Sequence, residues 1–448
     1  MTELEFGLMS IAVIVLLIYS GMHVGIALSV VSFVSVALQQ DSLILAMKLL
    51  SLAATGAIAD QTFAVIPLFV LMGLIMSESD VGRDAYDVGD YFLRPVRGGL
   101  GIATVGSNAV FAAVTGVSIA SAAVFTRIAV PQMLRLGYSP RFAVGTVAGS
   151  SVLGMLIPPS ILLIIYAILT KQSIGLMFFA GIGPGLLLTL VYCIGIIGMA
   201  YLTPGFVYDK TGRFSDQEAI TQSNPRDESS LTQIALKSLP LLCLVILVLG
   251  GIYAGIFTPT EAGAVGSLFA LILAVARKKM SFRVLWKVLR ETGHITAAIC
   301  FLIIAATMYS RSLTLAGVPV EIGRLVTTGT DQFLLVILIY AAVVILLGTI
   351  IDSVSIILIM VPMFLPIIIG FEVDPIWFGI FTVIAVEVGL LTPPLGIACF
   401  VIKGSLEDPR ITLGDVFLGA IPFALMMIFV LVLITAWPHL VYINQWLW

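Results

Sequence analysis

The chain has 448 residues, 60% of them hydrophobic and 10% charged, with a mean hydropathy of +1.15 and a formal net charge of −3. A soluble globular protein carries about 25% charged residues, so this few cannot cover so apolar a core, and lipid must solvate most of the surface. The near-neutral charge gives no reason to expect a nucleic-acid partner, and the longest polar stretch, 209–232, is too short for a sizeable soluble domain.

About 20 apolar residues cross a bilayer as a helix. In chain order, apolar runs predict helices at 6–37, 43–59, 63–76, 98–123, 142–169, 175–201, 235–257, 263–276, 292–308, 332–349, 354–369, 376–402 and 416–437. Several are short or interrupted by Gly and Pro, which membrane helices tolerate. Nothing alternates as a barrel strand would, so the fold class expected is an all-α polytopic membrane protein. The first run lacks a basic flank and a cleavage site and reads as a retained helix, its acidic start favouring an outside N-terminus. The stretch 209–232 reads as a solvated linker between two halves.

Arg277, Lys278, Lys279, Arg283, Lys287 and Arg290 make the loop 277–290 strongly basic, which places it on the cytoplasmic side. Phe282, Leu285, Trp286 and Leu289 fall between those cations at helical spacing, so this segment is expected to be an amphipathic helix lying in the interface. Trp437, Tyr442, Trp446 and Trp448 form an aromatic belt at the C-terminal end. Cys193, Cys243, Cys300 and Cys399 each sit alone in an apolar run, and His23, His294 and His439 are dispersed, so no metal-ligand spacing arises.

One offset of 235 residues aligns Ser118 with Ser353, Pro131 with Pro366, Pro140 with Pro375, Gly154 with Gly389, and Pro158-Pro159 with Pro393-Pro394. Leu and Ile agree easily by chance; prolines and a glycine in ungapped register do not, so the chain contains a duplication. Ser139-Pro140 and Asp374-Pro375 each put a capping residue before a proline at the first helical position, so a helix starts at each. Eighteen residues on, each meets Pro-Pro, which removes two backbone donors and breaks the helix. Irregular backbone inside a bilayer persists only where protein or a water-filled cavity satisfies it. The freed carbonyls there can bind a cation, and helix N-termini can face an anion.

Just upstream of each such helix lies a segment of small polar residues, 114–123 and 348–355, resembling the tip of a hairpin that enters the membrane without crossing it. Asp352 lies in the second, and Glu387 stands six residues before Pro393. Intramembrane carboxylates are costly and usually functional. Asp352 is expected beside a cation; Glu387 is expected either there or paired with a structural cation such as Arg311. Glu261, after Thr258-Pro259-Thr260, reads as a helix cap.

No HExxH, GxSG, GxGD or GxxxxGK[ST] occurs, which argues against intramembrane proteases and an ATP-driven pump. A purely structural subunit would have no need of two matched helix breaks. The string Gly250-Gly-Ile-Tyr-Ala-Gly-Ile-Phe-Thr-Pro-Thr-Glu-Ala-Gly-Ala264, with 150–160 and 387–396, resembles the motifs of the large membrane (M) subunit of tripartite ATP-independent periplasmic (TRAP) transporters. The likeness covers essentially the whole chain.

That resemblance implies an elevator-type transporter of the ion-transporter superfamily, with two inverted repeats, each holding a re-entrant hairpin and a broken helix, plus a scaffold. It divides the chain into scaffold helices at 1–95, transport repeat 1 at 96–205, and a linker, scaffold helices and a basic arm helix at 206–292. Transport repeat 2 follows at 293–410, and a C-terminal scaffold helix at 411–448. It also implies import of an organic acid across the bacterial inner membrane, without a cofactor, coupled to sodium ions. The partners it implies are a small four-helix membrane (Q) subunit, expected as a separate chain, and a soluble periplasmic binding (P) protein. A self-sufficient ion-coupled transporter of the same superfamily is the alternative. Carried over by motif, the substrate and ion site comprises Thr115, Gly116, Ser118, Ser150, Ser151, Pro158 and Pro159 in repeat 1. In repeat 2 it comprises Gly348, Asp352, Ser353, Glu387, Gly389, Thr392, Pro393 and Pro394. Sodium ligands are expected among Ser118, Ser150, Gly348, Asp352 and Thr392. Val117 and Ser353 depart from the family pattern, where a second small residue and a proline are common.

Overall fold

The computed structural model describes residues 3–59, 61–93, 95–209, 231–318, 331–406 and 408–442. The linker 209–232 and the belt residues Trp446 and Trp448 fall almost wholly outside them. Among the described residues the structure is helical, with one isolated bridge between Tyr138 and Tyr208. Among the described residues seven helices are long and apolar enough to cross a membrane, so this is an integral membrane protein.

Helix starts follow local chemistry. Ser139, Ser160, Ser173, Ser281, Asp352 and Asp374 each accept a hydrogen bond from a first-turn amide. Thr258 with Glu261 and Thr412 with Asp415 close full capping boxes, so Glu261 is the cap its sequence suggests.

Four segments differ from the uninterrupted runs or the separate helix that hydropathy alone suggests. The run 6–37 is two helices, Glu3–Tyr19 and Val24–Gln39, because Gly21 adopts a left-handed φ of 91° and turns the chain. The run 98–123 is a helical hairpin, Gly99–Thr115 then Ser118–Arg135, turned by Gly116 at φ 64°. The run 376–402 is two helices, Pro375–Leu390 and Ile397–Ser405, separated at Pro393-Pro394 as the paired prolines predict. The basic segment does not form its own interfacial helix: 282–290 is the start of one 34-residue helix, Phe282–Leu315. No proline or glycine turn separates Trp286 from the apolar run, so the helix continues. A sharp bend lies elsewhere: Val81–Leu93 turns 64° from Thr62–Glu78 and carries Asp84, Asp87 and Asp90.

Burial separates two layers. In the most apolar 18-residue stretch of each, 83% of the residues are buried in Pro140–Thr170 and 67% in Ser353–Gly370, against 28% in Ile174–Leu202 and in Ile234–Tyr253. The second group presents Leu186, Leu190, Ile194 and Ile246 outward, as lipid-facing helices do.

The last long helix, Leu413–Ala436, measures the direction of the repeats. Arg141, at the start of the first broken helix, pairs with Asp415 at 2.8 Å. Trp377, at the start of the second, donates its indole N–H to Ile434 O at 2.9 Å. The two broken helices therefore start at opposite ends of one helix and run antiparallel, so the repeats are inverted.

The same contacts define one basic face. Arg277 donates to Asp84 at 2.5 Å, Lys279 pairs with Asp80 at 2.5 Å, and Lys287 with Glu78 at 2.8 Å. From Val81–Leu93 the chain passes to Gly98, whose amide donates to the Tyr208 hydroxyl, and the Tyr208 ring packs at a tilt against Tyr138 beside Pro140. The basic segment, Arg141 and Asp415 thus lie at one end of the molecule; Lys171, Asp374 and Tyr442 lie at the other.

Candidate ion and substrate site at the hairpin tips

Each hairpin tip is hydrogen-bonded to the helix break of its own repeat. The Ile161 amide donates to Gly116 O at 3.3 Å, and the Gly396 amide donates to Thr349 O at 3.1 Å. Ile161 and Gly396 are themselves 235 residues apart, so the duplicated sequence makes a duplicated contact. Both Pro158-Pro159 and Pro393-Pro394 are cis. Neither break lies in a continuous helix: a bend runs from Ile157 to Pro159 before Ser160, and a turn fills the gap from Leu391 to Gly396.

In the first repeat, Thr115 is buried and donates to Phe111 O in its own helix. Gly116 has no room for a side chain, since a Cβ would lie 2.6 Å from Pro159 O. Ser118 opens the second arm, 1% exposed, and its hydroxyl has no partner. Ser150 accepts from Asn108 Nδ2 at 2.8 Å, while Ser151 donates to Ala148 O. Pro158 and Pro159 are buried, and Ser160 beyond them caps the next helix.

In the second repeat, Gly348 and Gly389 bring two helices into backbone contact, a Cβ on Gly389 falling 2.6 Å from Gly348 Cα. Asp352 caps its own helix. One carboxylate oxygen accepts the Ser355 amide at 3.1 Å and the other the Ser355 hydroxyl at 2.6 Å. Ser353 donates to Glu387 Oε1 at 3.0 Å. Thr392 donates to Val388 O at 2.7 Å, and Pro393 and Pro394 are exposed, unlike their buried counterparts.

The two repeats meet at Glu387. Ser118 of the first repeat and Ser353 of the second, paired by the duplication, both lie beside its carboxyl group. Glu387 is 1% exposed and its Oε2 has no partner. It is not paired with Arg311: it faces hydroxyls, because Ser118 and Ser353 occupy the two helix starts that converge on it. Tyr192, fully buried, ends in another unpartnered hydroxyl within electrostatic range of Glu387.

The structure therefore joins Ser118, Ser353 and Glu387, and separately Gly116 with Pro159, and Gly348 with Gly389. It leaves Ser151 bonded within its own turn and Asp352 committed to a cap. Sequence reasoning passed over Asn108, whose Oδ1 is buried without a partner. A lone amide in the apolar run Gly99–Thr115 was the available signal. Ser160, Ser355 and Tyr192 carried none beyond their type.

Among the described residues no group of three or more His, Cys, Asp or Glu could hold a metal ion. What converges here are hard oxygens: the Ser118 and Ser353 hydroxyls beside the Glu387 carboxyl, with Ser118 Oγ and Glu387 Oε2 buried outside any well-formed hydrogen bond. Such atoms are rare in folded proteins and ask for a partner. That donor set suits a small hard cation and gives nothing to a soft transition metal.

Residues 11–440 match the family described as Tripartite ATP-independent periplasmic transporter, DctM component. The chain is 34% identical to the C4-dicarboxylate TRAP transporter large permease protein DctM of Pseudomonas aeruginosa, over 84% of each chain. It is 28% identical to the sialic acid TRAP transporter large permease protein SiaM of Vibrio cholerae, over 94% of each. Its fold resembles the crystal structure of the Alcanivorax borkumensis YdaH transporter, with a TM-score of 0.58 over 90% of both chains at 12% identity.

Proposed function

Because the chain belongs to the DctM component family of tripartite ATP-independent periplasmic transporters, we propose that it is the substrate-translocating subunit of a sodium-driven importer of an organic acid. The observation that carries this reading is the meeting of both hairpin tips at Glu387, through Ser118 and Ser353. It puts oxygen ligands from two inverted repeats around one buried point.

In this reading sodium ions are co-transported substrates. Ser118, Ser353 and the break backbones near Gly116 and Gly396 supply oxygen ligands, and the bound cation offsets the charge of the substrate carboxylate. Ser150, on the first broken helix, and Thr392, at the second break, are further candidate ligands; Gly348 keeps the second hairpin against the second broken helix. In this reading the buried hairpins and broken helices move together in an elevator motion, while exposed helices such as Ile234–Tyr253 stay with the scaffold. A periplasmic binding protein would deliver the acid, and a small membrane subunit would pack on the scaffold. Relatives named for C4-dicarboxylates and sialic acid support a carboxylate as the substrate class. The basic face would be cytoplasmic, in the inner membrane.

The test is uptake into proteoliposomes containing the chain, its small-subunit partner and the cognate binding protein, with and without an inward sodium gradient. Uptake should require sodium, and Ser118→Ala and Ser353→Ala should each raise the sodium concentration for half-maximal rate. Sodium-independent uptake rejects the coupling.

A further inference from the structure

A cavity of about 490 Å³ lies between the second arm of hairpin 1 and the loop after Ile397–Ser405. The site above does not use it. Thr126, Arg127 and Val130 line one wall, and Asp408, Pro409 and Arg410 the other. Its size falls within the range of about 300–1,000 Å³ typical of small-molecule sites.

Arg127 is exposed and meets no carboxylate among the described residues. The acid across the cavity is already engaged: Asp408 accepts from Arg410 Nη2 at 2.6 Å and from Arg410 Nε at 3.0 Å. That contact holds the Asp408 carboxyl below its usual range, so it stays ionised and bound to Arg410. A guanidinium offers a planar fork of donors that fits a carboxylate. Val130 and Pro409 offer apolar walls for a carbon skeleton.

Arg127 stands nine residues after Ser118 on one helix, roughly 13 Å of rise toward the basic face. The cavity is therefore separate from the hairpin tips and closer to the side on which substrate would be released. It also spans the repeats, since Arg127 belongs to the first and the 405–410 loop to the second.

We propose that this cavity is a second, sodium-independent site that takes a small organic carboxylate anion on the basic face, held by Arg127. It rests on the organic-acid reading above and adds a product-side site to it. An anion seated there bridges hairpin 1 and the second repeat, so accumulated product would slow further import by holding them together.

The experiment uses the full-length chain in nanodiscs of zwitterionic phosphatidylcholine, in sodium-free buffer, with radiolabelled lactate, succinate and citrate as probes. At least one should bind saturably at one per chain. Arg127→Gln should weaken that binding at least tenfold with the melting temperature unchanged, Arg127→Lys should restore part of it, and Ser118→Ala and Ser353→Ala should not alter it. No saturable binding by any probe overturns the proposal. So does equal binding by Arg127→Gln, or an Arg127 effect confined to retention of phosphatidylglycerol, which would assign the cavity to a lipid phosphate. Failure of sodium-driven uptake with sodium-free binding intact would strike the transport reading instead.

Discussion

Gly348 and Gly389 touch through their backbones: a Cβ added to Gly348 would stand 2.8 Å from Gly389 Cα, and one added to Gly389 would stand 2.6 Å from Gly348 Cα and from Ile345 O. The obstacles are main-chain atoms, which cannot swing aside. Gly389→Ala should therefore force the second hairpin off the second broken helix at a cost of about 1–3 kcal/mol. Thermal unfolding in detergent should show a lower midpoint, with uptake reduced more than expression. An unchanged midpoint would mean that these helices separate freely.

Gly116 combines two demands. Its φ of 64° is left-handed, and a Cβ there would meet Pro159 O at 2.6 Å. Gly116→Ala adds strain on the order of 1–2 kcal/mol from the backbone alone, and the clash adds more. Loss of sodium-dependent uptake is the expected result, whereas Gly106→Ala, with nothing within 4 Å, should behave as wild type and serve as the control.

Asn108 ties the first hairpin to Ser150 through a buried 2.8 Å hydrogen bond. Asn108→Leu should cost about 1–3 kcal/mol, since it leaves the Ser150 hydroxyl with fewer partners. A double-mutant cycle with Ser150→Ala should show coupling; strictly additive changes in unfolding midpoint would mean that the bond contributes nothing.

Arg277 joins the bend before Val81–Leu93 to the basic face by reaching both Ser79 O at 3.3 Å and Asp84. The pair is partly shielded, with side-chain exposures of 23% and 18%, so it should be worth more than an open surface pair, about 1 kcal/mol. Arg277→Gln should lower the unfolding midpoint, and the loss should shrink at high salt.

The sidedness of the membrane can be read by thiol labelling in a background with all four native cysteines replaced by serine. Arg283→Cys, exposed on the basic face, should react with an impermeant reagent in inside-out vesicles, and Lys171→Cys should react in right-side-out ones. The reverse pattern would invert the orientation proposed above.

Composition settled the solvent, because 10% charge cannot hydrate this much apolar surface. The prolines settled where helices begin and break, because a missing donor and a fixed φ act within one turn whatever surrounds them. The 235-residue register therefore survives in the donors of a repeated contact, Ile161 to Gly116 and Gly396 to Thr349. The hairpin at Gly116 and the split at Gly21 were harder to read, since a glycine in an apolar run is compatible with a helix until packing selects its left-handed form. What only the tertiary structure decided was partnership. Glu387 meets two hydroxyls and not Arg311, Asp352 turns back to its own helix end, and the repeats run antiparallel. Each depends on which helices cross, and crossing is set by side-chain fit between segments far apart in the chain, which local sequence chemistry does not encode.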